Sequence, residues 1–244
     1  MNAMRPAGRC FEIEQVRFGN GNVYRAPLFA TGEVAQISAA VRDVPASLLV
    51  EAWNSPDSSM VTIGAPLYRN RDVPEHYTAC ARAQNRLLYR HFRLAHERVA
   101  GFFERRYGAL VVFAEELAVP GFHVFTFPRA GEHGAGGWHV DMLHAQVPFF
   151  ARHRAEVAGV VNFTVPFEVP AGGTGMDIEE DAPGSPQSGG GAHVWMAYEP
   201  GVMVFTEAEY RHRIGPSHCL RDGERRVTLQ GHGLLFRGRW ILFW

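Results

Sequence analysis

At residue 109 the hydrophobic pattern of the chain changes period, and the change separates two kinds of structure. Before it, Leu88, Phe92, Ala95, Val99, Phe102 and Phe103 recur at three- and four-residue spacing. Arg82, Arg86, Arg90, Arg93, Glu97 and Arg98 fall mostly off that stripe. This is the pattern of an amphipathic helix, predicted over 79–107 and ended by Gly108. Beyond 109 the apolar residues alternate, as they do in strands. Segments 121–127, 159–165, 193–205 and 226–236 all read this way. A long helix followed by a run of strands predicts a mainly β fold with flanking helices.

The segments before the long helix are shorter. Residues 10–30 alternate around Gly19-Asn20-Gly21-Asn22 and predict a hairpin. Thr31 is positioned to cap a helix whose face carries Val34, Ile37 and Val41. Pro45-Ala46-Ser47 starts a second short helix through Trp53, and 55–78 reads as loop. His91 and His96 sit beside the apolar stripe of the long helix and read as surface or boundary residues. Residues 148–154 form a connection. The glycine- and proline-rich stretch 179–192 reads as a mobile loop or partial lid.

Composition narrows the function classes. The chain has 244 residues, a length that suits one domain, 1–244. Within it, 1–108 supplies the hairpin and helical support and 109–244 the β core. Acidic residues number 25 and basic ones 24, all Arg. The near-zero net charge offers no basic stripe for nucleic acid, and the absence of Lys rules out Schiff-base chemistry on that side chain. Cys10, Cys80 and Cys219 are scattered and odd in number, so no disulfide framework is expected and a reducing cytoplasm is the expected setting. No secretory leader and no membrane-spanning apolar run is evident.

The chemistry starts from Gly-Trp-His-Val-Asp at 137–141. His139 and Asp141 are two apart, and on an extended strand they face the same way. One imidazole nitrogen and one carboxylate oxygen can then reach a single metal ion. Two ligands hold a metal poorly, and the best third is His212, in Tyr-Arg-His-Arg-Ile-Gly-Pro. Two His and one carboxylate make the facial triad of non-haem iron, which leaves coordination positions open. By parity, Arg226, Thr228, Gln230 and His232 share one face of a later strand, and Asn162 and Thr164 share the polar face of another. Those polar faces predict a polar-lined cavity.

In order and spacing, His139, Asp141, His212, Arg226 and Thr228 resemble the H-x-D, distal His and Arg-x-Ser/Thr set of the Fe(II)/2-oxoglutarate-dependent oxygenases. The resemblance covers roughly 121–236. It implies a double-stranded β-helix, the jelly-roll or cupin-like barrel. It also implies Fe(II) on the triad, with O2 and 2-oxoglutarate as co-substrates. The far carboxylate of 2-oxoglutarate would be held by Arg226 and Thr228, with Asn162 beside it. Halogenating members carry Gly or Ala where this chain has Asp141, so hydroxylation of an sp3 carbon is the implied outcome. Desaturation, cyclisation and epimerisation are the alternatives within the family. A metal dioxygenase without 2-oxoglutarate and a non-enzymatic barrel are the alternatives outside it. The implied substrate is a small molecule, such as a free or acylated amino acid or a natural-product intermediate. Arg69, Arg71, His144 and Trp138 are the candidate substrate contacts. No membrane partner is expected, and the expected state is a monomer or homodimer.

Overall fold

The computed structural model describes residues 12–55, 57–69, 74–141, 147–179 and 192–244. The chain opens with an antiparallel hairpin, β1 (Glu14–Phe18) and β2 (Gly21–Pro27), as the turn signal predicts. Helix α1 (Thr31–Arg42) follows, then β3 (Leu49–Asn54) and β4 (Ser59–Ile63). Helices α2 (Pro74–His91) and α3 (Arg93–Tyr107) lead to a two-residue strand, β5 (Val111–Val112). Next come β6 (Gly121–Phe127), β7 (Gly131–His133), the short helix α4 (Pro148–Arg152) and β8 (Val157–Glu168). The remainder is β9 (Gly175–Glu179), β10 (His193–Ala197), β11 (Val202–Thr206) and β12 (Arg211–Ile214). It ends with β13 (Ser217–Leu220), β14 (Glu224–Phe236) and β15 (Arg239–Phe243).

Among the described residues these strands form a major sheet ordered β1-β2-β11-β8-β14-β6-β4-β3, with β15 joined to β14 and β5 parallel to β15. A minor sheet, β10-β9-β12, and a ribbon, β13-β7, complete the jelly roll. The expected barrel does not close. The hairpins β1-β2 and β3-β4 extend the major sheet at both ends, so its edge strands lie outside the roll. Strand β14 is the spine. It pairs with β8 along most of its length, with β6 on its first half and with β15 on its last.

The alternation of these strands decides which side meets the helices. Phe122 and Val124 of β6, Val161, Phe163 and Val165 of β8, and Val227 and Leu229 of β14 are buried in one cluster with Phe92, Val99, Phe102 and Phe103. Burying an apolar side chain of this size contributes about 1.5–3 kcal/mol. The helices therefore fix one face of the major sheet and leave the opposite face to line the roll.

Several local expectations are corrected. The long helix starts at Pro74 and bends at Phe92, whose φ of −113° and ψ of 31° leave the helical region. The hydrogen bonds Phe92 N→Leu88 O and His96 N→Phe92 O continue across the bend, so the apolar spacing is unbroken there. Thr31 is not the cap of α1. Ala30 precedes the helix, and its N–H donates to the Glu33 carboxylate at 2.9 Å. The short helix expected at 45–53 is one 3-10 turn, Ala46–Leu48, followed by β3. The loop expected over 55–78 contains β4, because Ser59–Ile63 finds hydrogen-bonding partners on both β3 and β6. The connection at 148–154 contains α4, started by its proline and anchored by buried Phe150.

His96 is not a boundary residue. It is fully buried, stacked on Tyr89 with ring centroids 5.5 Å apart, and its Nε2 bonds the Pro120 carbonyl at 2.8 Å. Burial pushes its pKa down to about 4, against about 6.5 in an unfolded chain. Between those values the unfolded state binds the extra proton, so stability is lost as the pH falls from about 6.5 towards 4. This one residue accounts for up to about 3 kcal/mol of the loss. Urea unfolding at pH 7 and pH 4.5 should show a smaller acid-induced loss in His96→Phe than in the wild type. Equal losses would contradict the assignment.

Candidate metal centre

His139 reaches the centre on a segment that adds itself to the edge of β12. Gly136 N bonds Ile214 O at 2.8 Å, and His139 and His212 exchange backbone bonds of 2.9 and 2.8 Å. The alternation that turns His139 and Asp141 inward meets the alternation that turns His212 and Ile214 inward, and all four line one cavity. His139 Nδ1 bonds the Gly137 carbonyl at 2.9 Å, and His212 Nδ1 bonds the Tyr210 carbonyl at 3.0 Å. A carbonyl only accepts, so each Nδ1 carries a hydrogen, and each Nε2 is the nitrogen left to serve a metal once unprotonated.

His212 Nε2 lies 3.3 Å from Asp141 Oδ2, and the two imidazole rings are 4.4 Å apart. One ligating atom from each of His139, Asp141 and His212 lies within 4.8 Å of the others. Burial alone would raise the Asp141 carboxyl. The hydrogen bond from His212 and the charge of that ring outweigh it, holding the group well below the usual carboxylate range. Burial works against a charged His212, but the bond to Asp141 raises its pKa above the ordinary value. The donor set is thus two neutral-capable imidazoles and one ionised carboxylate, converging from one side, which suits a divalent cation with open positions.

The cavity beside this cluster has a volume of about 490 Å³, within the range of small-molecule sites. Asn162, Thr164, Gln230 and His232 line it from β8 and β14, as parity predicts, and Met60, Phe125, Ile178 and Trp244 supply apolar wall. His232 stands opposite Asn162 in the ladder.

Arg226 and Thr228 lie on the same face of β14, just behind the lining, and are 1% and 2% exposed. The Arg226 guanidinium stacks on Phe125, 3.9 Å from the ring centre, and Nη1 reaches Thr174 Oγ1 at 3.4 Å. Burial pulls its pKa down to about 10, so it stays charged at neutral pH. Among the described residues no carboxylate pairs with it. A buried charge without a counter-charge is costly, and a ligand carboxylate would offset it. The residues therefore fit a molecule that offers a chelating group to the triad and an anion to Arg226.

Two residues of the site carried no sequence signal strong enough to be singled out. Tyr68 hangs over the cavity, and its hydroxyl bonds His123 Nε2 at 2.9 Å. His123 is buried, and burial followed by the charge of Arg226 pushes it down to about 3. Parity groups His123 with Phe125 and Phe127, but both faces of β6 are buried, so a polar residue there does not announce a cavity.

The substrate candidates separate. Trp138 lies outside the cavity lining, with the guanidinium of Arg213 4.6 Å and that of Arg211 5.4 Å from its ring centre, and His193 edge-on at 5.9 Å. Arg69 is exposed on a 3-10 turn, Leu67–Arg69, next to Tyr68 and outside the lining. Arg71, His144 and the segment 180–191 fall outside the described residues.

The Asp141–His212 pair makes a direct prediction for the metal-free protein. The carboxylate favours charged His212, so Asp141→Asn should lower the His212 pKa. An NMR titration of the imidazole signals measures this, and an unchanged midpoint would contradict the pairing.

Neither a protein-family model nor a curated protein matches the sequence. Solved structures do match in fold. An N-substituted L-amino acid dioxygenase from Burkholderia ambifaria AMMD is 12% identical, with 96% of this chain and 98% of that chain covered and a TM-score of 0.56. Looser matches include the non-heme alpha ketoglutarate dependent epimerase SnoN from nogalamycin biosynthesis, at 14% identity, 87% and 78% coverage and a TM-score of 0.47. A 2OG-Fe(II) oxygenase family oxidoreductase from Burkholderia pseudomallei matches at 14% identity, 89% and 86% coverage and a TM-score of 0.46. The chain shares the fold of the Burkholderia ambifaria dioxygenase over nearly the whole length of both.

Proposed function

We propose that this chain is an Fe(II)- and 2-oxoglutarate-dependent oxygenase that hydroxylates an sp3 carbon of a small molecule. The observation that carries the reading is the pairing of two unmet demands beside one cavity. His139, Asp141 and His212 converge as a metal-binding set, and Arg226 is a buried cation with no carboxylate partner among the described residues. 2-Oxoglutarate answers both, with a chelating keto acid at one end and a carboxylate at the other. When bound, Fe(II) and 2-oxoglutarate together supply the activation of O2 for attack on a C–H bond.

The chain's own residues prepare that chemistry. Gly137 and Tyr210 hold the two imidazoles in the metal-ready tautomer through their carbonyls. Asp141 stays ionised, and it fills the position that a halide would need. Arg226 meets the far carboxylate through a planar fork of donors, with the Thr228 hydroxyl beside it. Asn162 faces the same space from β8. Met60, Phe125, Ile178 and Trp244 exclude water from one side of the cavity.

The substrate we propose is a free or acylated amino acid or a natural-product intermediate, and Arg69 and Arg71 are proposed to meet its anionic end. We take 1–244 as one oxygenase domain acting in the cytoplasm as a monomer or homodimer. No described helix is long and apolar enough to cross a membrane.

Anaerobic Fe(II) loading followed by 2-oxoglutarate and O2 tests the reading. Succinate should form. His139→Ala, Asp141→Ala and His212→Ala should each lose iron, because two ligands bind it weakly. Arg226→Ala should raise the apparent KM for 2-oxoglutarate by an amount equivalent to about 2–5 kcal/mol. Full iron occupancy in His212→Ala, or an unchanged KM in Arg226→Ala, would contradict the assignment. Mass spectrometry of amino acids and acylated amino acids incubated with the enzyme then reads the outcome, with a gain of one oxygen expected.

A further inference from the structure

A fourth imidazole faces the cavity, and its neighbours fix what it presents there. His232 lines the cavity from β14, and its Nδ1 lies 2.8 Å from Asn162 Oδ1. The orientation of the Asn162 amide is set from its other end, where Nδ2 points to the Ala208 carbonyl at 3.4 Å. A carbonyl accepts only, so Asn162 turns its NH2 towards Ala208 and its oxygen towards His232. The hydrogen between Asn162 and His232 therefore sits on Nδ1. Burial keeps the ring neutral, with its pKa pushed down to about 4. Nε2 is left as a bare lone pair.

That lone pair belongs to the neighbourhood of the triad. His232 lines the same cavity as His139, Asp141 and His212. Yet His232 is not in the cluster whose ligating atoms lie within 4.8 Å of one another. It shares the cavity with the set that would hold the metal and stands outside that set. Its Nδ1 arrangement matches that of His139 and His212, each of which also places Nδ1–H on an oxygen acceptor. The difference is that His232 takes its acceptor from a side chain.

We propose that His232 is a positioning residue, whose Nε2 accepts a hydrogen bond from water on the metal at an open position, with Asn162 fixing the required tautomer. This rests on the metal-centre reading above and deepens it. A bare acceptor orients a water and disfavours a carboxylate at the same place. The position facing His232 is then selective for O–H or N–H donors over anionic groups, and the anion is directed to Arg226.

Zn(II) serves as a diamagnetic probe that binds without turnover. In 15N-labelled protein, long-range proton–nitrogen NMR should show His232 neutral, with hydrogen on Nδ1 and none on Nε2. Its signals are assigned by their loss in His232→Gln. Zn(II) loading should move the Nε2 resonance upfield, the direction of hydrogen-bond acceptance, while Nδ1 keeps its hydrogen. Asn162→Leu should release the tautomer and diminish that shift. With Co(II) in place of Zn(II), the visible spectrum should change in His232→Phe and be restored towards wild type in His232→Gln, which keeps a neutral acceptor. An imidazolium or an Nε2–H tautomer in the wild type, or an Nε2 signal indifferent to bound Zn(II), would overturn the inference. Failure of the wild type to bind Zn(II) at all would instead sink the metal-centre reading, so the two are distinguishable. The wild-type spectra decide the matter even if a variant fails to fold.

Discussion

Two backbone hydrogen bonds, exchanged between His139 and His212, turn two segments remote in sequence into one centre. They set the register in which Asp141 meets His212 and in which both Nε2 atoms face the same space. The bridge is reinforced from behind. Arg213 pairs with buried Asp177 at 2.8 Å while its guanidinium lies over Trp138, and Arg211 pairs with Glu179 at 3.1 Å. Outward residues of β9, β12 and the His139 segment thus clamp the strands whose inward residues form the cluster. Trp138 is part of this clamp and lies outside the cavity lining.

Opposite the clamp, β14 carries the rest of the chemistry. One face packs Val227 and Leu229 against the helices; the other brings Gln230 and His232 into the cavity lining and carries buried Arg226 and Thr228. A one-residue slip would exchange those faces, so the packing of the helices also specifies which polar groups reach the cavity. Burial there has two consequences. It leaves Arg226 charged and without a carboxylate partner among the described residues, and it leaves His123 and His232 neutral.

Residue types and parity made the core of the site legible. An i, i+2 pair on a strand needs no tertiary information to share a face, and neither does the alternation of 226–232. What the sequence did not disclose depends on partners far along the chain. β4 is a strand because β3 and β6 flank it, whereas its own residues follow a Ser-Pro-Asp turn signal. His96 is buried because Pro120 offers a carbonyl and Tyr89 a ring. The bend at Phe92 leaves the apolar spacing intact, so no periodicity reveals it. The roll stays open because the N-terminal hairpins join the major sheet, a pairing that no local pattern encodes.

If one small molecule bridges the metal cluster and Arg226, its two ends should depend on each other for binding. Calorimetric titration of 2-oxoglutarate, with Mn(II) in place of Fe(II) so that nothing turns over, tests it most directly. Binding should be tight only when Mn(II) and Arg226 are both present, with each strengthening the contribution of the other. Binding of equal strength to the metal-free protein, or to Mn(II)-loaded Arg226→Ala, would contradict it.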